Sequence, residues 1–405
     1  MNVAPHRLAL ALAAGTCLSL AACSDGAVSP QPDPAPDPDP QPEPEPPPPV
    51  VLGMHDVSVL YPLPPSLAES ALLGPLSAAA KGGALLTEAD YATIPTFPVQ
   101  PAQGLDYLRM RVVSVRFDAC FARPEGCEAQ IRMVMQPITD DGATLDSALH
   151  LFYQLTDQEM TEVAAGLRAI HAPELPAAPL GVHPLLASEG VTGTYGTALQ
   201  ALLLQYTGVE NLVRMTFFLR APPLNEVWFF GAFDRIDGAW TPIELVGGGQ
   251  TQRVIRTVVT DGWDFDLTPV APEPEDGSLL LTSAGADAAT EDARAAAFAS
   301  YLRVDNPALH GVDELPCAGC HLSTYLTEQA RTRFGLDDSV FSDDLFASAT
   351  HDLSLTGEAP QEASSLRAFG YFDRRPMVAQ RLVNETAAVL DDIEARYPEP
   401  APASR

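Results

Sequence analysis

Three residues near the C-terminal end of the chain have the types and the spacing that attach a haem group covalently. Cys317 and Cys320 are separated by two residues, and His321 follows directly. Two thiols at this spacing can add to the two vinyl groups of haem, and the adjacent histidine then lies beneath the iron as its axial ligand. A zinc site needs four ligands, and a thioredoxin-type dithiol usually belongs to a βαβ unit, which the sequence does not indicate here. We therefore predict one haem c, bound by Cys317, Cys320 and His321.

The second axial position of the iron has several candidates in the sequence. Met377 is the only methionine after the motif, and a thioether ligand raises the reduction potential, which suits an electron carrier. His351 and His310 could ligate instead, or the position could be open to a small gas. We predict Met377 as the distal ligand, with His351 as the alternative.

The N-terminus has the features of an exported chain. Arg7 precedes a short apolar run, LALALAAGTCLSLAA, which is typical of a signal peptide. The run ends in Leu20-Ala21-Ala22-Cys23, which resembles the lipobox of bacterial lipoproteins. This resemblance implies a signal peptide over 1–22 and a lipid anchor on Cys23. With Ser24 next, it also implies a place in the cell envelope, at the outer membrane, facing the periplasm or the cell surface.

The segment after the lipobox has a composition that cannot form a core. Every second residue from Pro30 to Pro46 is proline, with acidic residues in most of the gaps. Alternating prolines favour an extended polyproline II conformation. We therefore predict that residues 23–50 are a lipidated, proline-rich, disordered stalk that holds the folded part away from the membrane.

The charge balance limits the possible partners. The formal net charge is -30, and Lys81 is the only lysine. Such an acidic surface repels phosphate backbones, so we expect no nucleic acid partner. The charge suits either simple solubility or a basic redox partner protein.

The cysteine count predicts one disulfide. Of six cysteines, Cys17 leaves with the signal peptide, Cys23 carries lipid and two belong to the haem motif. Cys120 and Cys127 remain, and an exported chain meets an oxidising compartment. We predict a bond between them that closes the turn of a hairpin.

Residues 51–275 show mostly strand periodicity, interrupted by two helical segments. The apolar residues alternate in the strand candidates, and Thr156 can cap the first helix. We predict a β-rich α+β domain of unknown role, without a catalytic motif, in which His150 is a structural residue of a strand. The strand candidates are LRMRVVSVRF, QIRMVMQPI, ALHLFYQL, LVRMTFFLRA, EVWFFGAFDRI and TQRVIRTVV.

The rest of the chain indicates helices around the haem motif. Residues 276–289 read as a linker, residues 290–398 as a helical haem domain and residues 399–405 as a tail. Pro376 is suited to the first turn of the final helix. The segment SLRAFGYFDRRPMVAQRLVNETAAVLDDI resembles the closing part of single-haem, cytochrome c-like domains in bacterial lipoproteins and exported proteins. The resemblance implies an all-α cytochrome c-like domain after the α+β domain.

These features together predict a membrane-tethered, single-haem c-type cytochrome that transfers one electron in the cell envelope. We expect an electron carrier rather than an enzyme, because a dihaem peroxidase would need a second C-x-x-C-H motif, which the sequence lacks. The alternative is a lipoprotein that senses a gas through its haem or binds a partner.

Overall fold

The computed structural model describes residues 49–95, 107–123, 126–172, 179–220, 226–272, 274–355 and 366–399. All of these belong to one compact unit. The signal peptide, Cys23 and nearly all of the predicted stalk and tail lie outside the described residues.

A nine-stranded antiparallel sheet organises this unit. Its strands follow the order β1-β2-β3-β4-β5-β6-β8-β9, with β7 paired to β6. The predicted strand candidates become the long strands, and Asp237 and Gly238, both with positive φ, form the turn between β6 and β7. The strands are β1 (Ser58–Leu60), β2 (Met110–Arg123), β3 (Gly126–Pro137), β4 (Ser147–Leu155), β5 (Leu212–Arg220), β6 (Val227–Ile236), β7 (Ala239–Pro242), β8 (Thr251–Arg256) and β9 (Phe265–Thr268).

Strand periodicity gives the central sheet two chemically different faces, because residues paired across neighbouring strands share a face. We call one the apolar face; its central residues are Met133, Leu149, Leu151, Tyr153, Met215 and Phe217. We call the other the mixed face; its central residues are Arg132, Val134, His150, Phe152, Arg214 and Thr216.

Helices lie on both sides of the sheet. In the described residues they are α1 (Met54–Val57), α2 (Glu88–Tyr91), α3 (Asp157–Ile170), α4 (Pro184–Glu189), α5 (Thr194–Tyr206), α6 (Ser283–Ala288), α7 (Glu291–Val304), α8 (Cys317–Phe334) and α9 (Gln380–Arg396). None of the helices in these ranges is both long and apolar enough to cross a membrane.

Helices α3 and α5 cover the apolar face. Helix α3 begins as predicted, with a capping box in which Thr156 accepts from the backbone of Glu159 and the Glu159 side chain accepts in return. Met160, Val163 and Leu167 recur at helical spacing and are fully buried in the core formed with the sheet. The helical period in the sequence thus correctly predicted the helix that covers this face.

The expected division into an α+β domain and a separate all-α cytochrome c-like domain is wrong. Helices α7 and α8 bury their apolar stripes against the sheet, where Phe298 and Leu322 share a core with Trp228 and Phe230. Helix α9 packs in the same way beside β2. Residues 276–289, expected to be a linker, contain α6 and bury Leu280, Leu281 and Ala286.

The start of the final helix also differs from the prediction. Pro376 does not occupy its first turn, because α9 begins at Gln380. Instead, strands β10 (Phe369–Phe372) and β11 (Arg375–Val378) form a small antiparallel hairpin. The side-chain amide of Gln136 ties this hairpin to β3, since its nitrogen donates to the Tyr371 carbonyl at 2.9 Å and its oxygen accepts from the Tyr371 N–H at 2.7 Å.

Candidate cofactor site

A cavity of about 310 Å³ lies between the mixed face of the sheet and the start of α8. Its volume is at the lower end of the range typical of small-molecule and cofactor sites. Aromatic and aliphatic side chains form part of its lining. The polar part includes two cysteines, two histidines, four arginines and three acidic residues: Cys317, Cys320, His150, His321, Arg116, Arg132, Arg214, Arg381, Glu244, Asp313 and Glu385.

The first two turns of α8 carry the motif into this cavity. Cys317 is the first helical residue, and positions i, i+3 and i+4 share one side of a helix, so Cys320 and His321 face the same way as Cys317. The Ala318 N–H, which no helical carbonyl can satisfy, donates to Gln252 Oε1 on β8 at 2.7 Å. This bond fixes the start of the helix against the sheet.

The two motif thiols are free and belong to partly buried residues. Neither is part of a disulfide. Burial raises the pKa of Cys317 to about 11 and that of Cys320 to about 12. Both groups are therefore neutral thiols at physiological pH.

His321 is held in one tautomer. Its Nδ1 lies 2.6 Å from the Leu366 carbonyl oxygen, and since a carbonyl can only accept, Nδ1 carries the proton. The Nε2 lone pair is then free for a metal. The ring lies against Phe218, with centroids 5.4 Å apart, and against Phe230 at 4.9 Å. Burial lowers the pKa of His321 to about 4, so the imidazole is neutral.

His150 faces His321 across the mixed face. The ring centroids are 6.4 Å apart and the planes differ by 17°. Its Nδ1 lies 2.8 Å from Thr216 Oγ1 on β5. Burial, with smaller contributions from His321 and the nearby arginines, lowers the pKa of His150 to about 3. From the sequence, we interpreted His150 as a structural residue. The feature that could have identified it is its position between Leu149 and Leu151, because alternation places its side chain on the opposite face of β4.

Four arginines line the cavity; Arg116, Arg214 and Arg381 are buried, and Arg132 is partly buried. Arg116 and Arg381 both pair with Glu385, while Arg132 pairs with Asp118. The buried Nε atoms of Arg116 and Arg132 have no hydrogen-bond partner among the described residues.

The fourth arginine, Arg214, binds Asp234 through two nitrogens and also pairs with Asp313. Guanidinium groups recognise carboxylates in a bidentate manner. Such groups suit a ligand with carboxylate substituents, and haem carries two.

The predicted distal ligands lie elsewhere. Met377 is a buried residue of β11, opposite Gly370, and does not line the cavity. His351 and His310 do not line it either: the Nε2 atom of His351 is 3.0 Å from Asp391 Oδ1, and that of His310 is 2.9 Å from Glu275 Oε1.

The disulfide predicted from the cysteine count is confirmed. Cys120 and Cys127 are paired at the end of the β2–β3 hairpin. Cys23 lies outside the described residues. Within the described ranges, no group of three or more histidine, cysteine, aspartate or glutamate side chains is arranged to hold a metal ion.

The residues of the cavity fit a covalently bound haem. Two thiols, an imidazole with a free Nε2, aromatic walls and arginines for carboxylates open on one space. Comparison of the chain with family models, with curated proteins and with solved structures found no match.

Proposed function

We propose that the cavity holds one haem c and that the protein is a one-electron carrier of the cell envelope. Cys317 and Cys320 would form the two thioether bonds, and His321 would be an axial ligand. The observation that carries the proposal is that these three side chains open together on one cavity that four arginines also line.

Haem would supply an iron that takes up and gives up one electron. The chain's own residues would bind and insulate it. The Leu366 carbonyl orients His321, and Phe218 and Phe230 exclude water from its ring. A low-dielectric surrounding and buried charges are the protein's means of setting a reduction potential.

The arginines would neutralise the carboxylates of the haem. Arg116 and Arg381 pair with Glu385, and Arg116 also lies 3.8 Å from Asp118. Arg132, which lies over the Phe121 ring at 4.5 Å, is held in place by that stacking. The buried Nε atoms of Arg116 and Arg132, which have no hydrogen-bond partner among the described residues, would be available to an anionic group in the cavity.

We further propose that the protein is tethered through lipid on Cys23 and exchanges electrons with a basic partner. The lipobox-like run and the net charge of -30 support this. We expect Cys23→Ser to move the protein from the membrane to the soluble fraction. An unchanged distribution would contradict the anchor.

Covalent attachment is tested with paired cysteine variants. The full chain is expressed with a cytochrome c maturation system, and haem is stained after denaturing electrophoresis. We expect the wild type to stain and Cys317→Ser/Cys320→Ser to lose the stain. The matched control, Cys120→Ser/Cys127→Ser, should keep it. A folded wild type without stain, or a stained motif variant, would contradict the proposal.

A further inference from the structure

We propose that His150 is the second axial ligand of the iron, opposite His321. The inference rests on the proposed haem and extends it, because it assigns the ligand that decides between electron transfer and gas binding. The sequence favoured Met377 for this role, but the structure brings His150 to the cavity instead.

The separation of the two rings fits one shared metal ion. Imidazole nitrogens bind metals at about 2 Å, so two imidazoles on opposite sides of one ion place their ring centres roughly 6 Å apart. The centroids of His150 and His321 are 6.4 Å apart. The separation of the two ring centres therefore matches that of two imidazoles that share one ion.

The hydrogen bonds engage the same nitrogen, Nδ1, on each ring. The Leu366 carbonyl can only accept, so Nδ1 of His321 carries the proton and its Nε2 lone pair is available. The Thr216 hydroxyl can accept or donate, and in the tautomer in which Nδ1–H of His150 donates to it, the Nε2 lone pair of His150 is available as well. Metal-binding histidines typically have this second bond, which fixes the tautomer and the ring orientation.

The backbone around His150 is rigid. The residue lies within β4, paired with Val134 on β3 and Thr216 on β5. Ligands on central strands of a sheet are positioned more firmly than ligands on loops. With haem bound, a water or gas molecule would have to compete with a side chain whose backbone the sheet holds in place.

Ligation by two histidines has defined consequences. The iron would be six-coordinate, with no open position for carbon monoxide. Its reduction potential would be lower than with a methionine ligand, because the thioether favours reduced iron. This arrangement supports the electron carrier over the gas sensor.

The test compares four forms of the haem-loaded protein by absorption spectroscopy and by carbon monoxide binding to the reduced state. We expect the wild type to be low-spin and to exclude carbon monoxide. His150→Ala should become high-spin and bind it readily. Met377→Ala is the matched control and should behave like the wild type. The fourth form, His150→Met, should restore six-coordination, add the far-red band of a thioether on ferric iron and raise the potential.

The outcomes separate this inference from the proposed function. A wild type without covalent haem contradicts both. A haem-loaded wild type that binds carbon monoxide, a His150→Ala variant that stays low-spin, or a spectral change in Met377→Ala overturns the role of His150 alone. Should His150→Ala fail to fold, His150→Met decides, since an unchanged spectrum and potential there also overturn the inference.

Discussion

The two faces of the central sheet come from the same strands but differ in what they contact. On β4, Leu149 and Leu151 point to the apolar face and are fully buried beneath α3 and α5. Between them, His150 points to the mixed face and lines the cavity. The apolar face is filled by close packing, whereas the mixed face leaves a cavity lined by arginines, cysteines and histidines, which is where the proposed haem would bind.

A comparison of two histidine pairs shows a related difference between packed residues and cavity residues. His55 and His183 have centroids 5.7 Å apart, and His183 also stacks on Tyr195, so these rings pack as aromatic side chains. Neither lines the cavity. The pair His150–His321 has a similar separation but opens on the cavity. The distance between ring centroids alone therefore does not distinguish a candidate ligand pair from a packed pair. The distinguishing feature is that His150 and His321 line the cavity.

The largest loss of stability is expected among the arginines that line the cavity. Glu385 is buried, yet Arg116 and Arg381 outweigh the effect of burial and lower its pKa. Glu385→Gln removes the carboxylate paired with Arg381 and leaves Arg116 only the more distant Asp118, and it should cost about 3–5 kcal/mol in the free energy of unfolding. Urea denaturation measures this loss of stability, and Glu328→Gln, at a half-exposed position, is the control. A loss below about 1 kcal/mol would mean that other groups balance the charges of the two guanidinium groups.

The next effect tests the apolar face. Leu151→Ala removes a fully buried side chain and should cost about 2–5 kcal/mol. It should leave the haem spectrum unchanged, the reverse of His150→Ala one residue away. The exposed Leu76→Ala serves as control. A spectral change in Leu151→Ala would show that the two faces are not functionally distinct.

The disulfide should contribute less to the free energy of unfolding than Glu385 or Leu151. Cys120 and Cys127 close a short loop at a hairpin end, so their replacement by serine should cost about 2 kcal/mol or less. Haem content should stay at the wild-type level. Denaturation and staining of the same preparation check both expectations, and a loss of haem would connect this end of the sheet to the cavity.

The packed histidine pair should affect stability only in acid. Burial, with a smaller effect of His55, lowers the pKa of His183 to about 3. Between the unfolded pKa near 6.5 and about 3, the unfolded state binds a proton that the folded state does not, so stability falls as pH falls through this window. At pH 5 the cost should be about 1–2 kcal/mol.

His183→Asn isolates this contribution, because asparagine can still cap α4 and does not titrate. The difference in unfolding free energy between pH 7 and pH 5 should be smaller in the variant than in the wild type. Equal differences would place the acid sensitivity elsewhere.

Local patterns predicted the local structure well. Alternation located the long strands, Thr156 marks the start of α3, and the cysteine count led to the Cys120–Cys127 pair. An apolar stripe shows that a helix buries one side, but not what it buries that side against. For this reason α7 and α8 were assigned to a separate domain, although they pack on the sheet.

The candidate site could be predicted only in part. The motif residues stand together in the sequence, so their chemistry was visible there. His150 and the four arginines are scattered over four strands and a helix, and only strand register and the position of α8 bring them together. Pro376 was taken for a helix start because prolines fit that position, but the β10–β11 pairing overrides this local preference.

The central claim is that haem is bound covalently at the start of α8, and one peptide tests it most directly. Trypsin should release residues 304–331 as a single fragment, since it begins after Arg303 and contains no internal lysine or arginine before Arg331. Mass spectrometry of matured protein should find haem on this fragment, with no thiol left to alkylate at Cys317 or Cys320. A haem-free fragment with two alkylated cysteines, from protein matured with a working attachment system, would contradict the account.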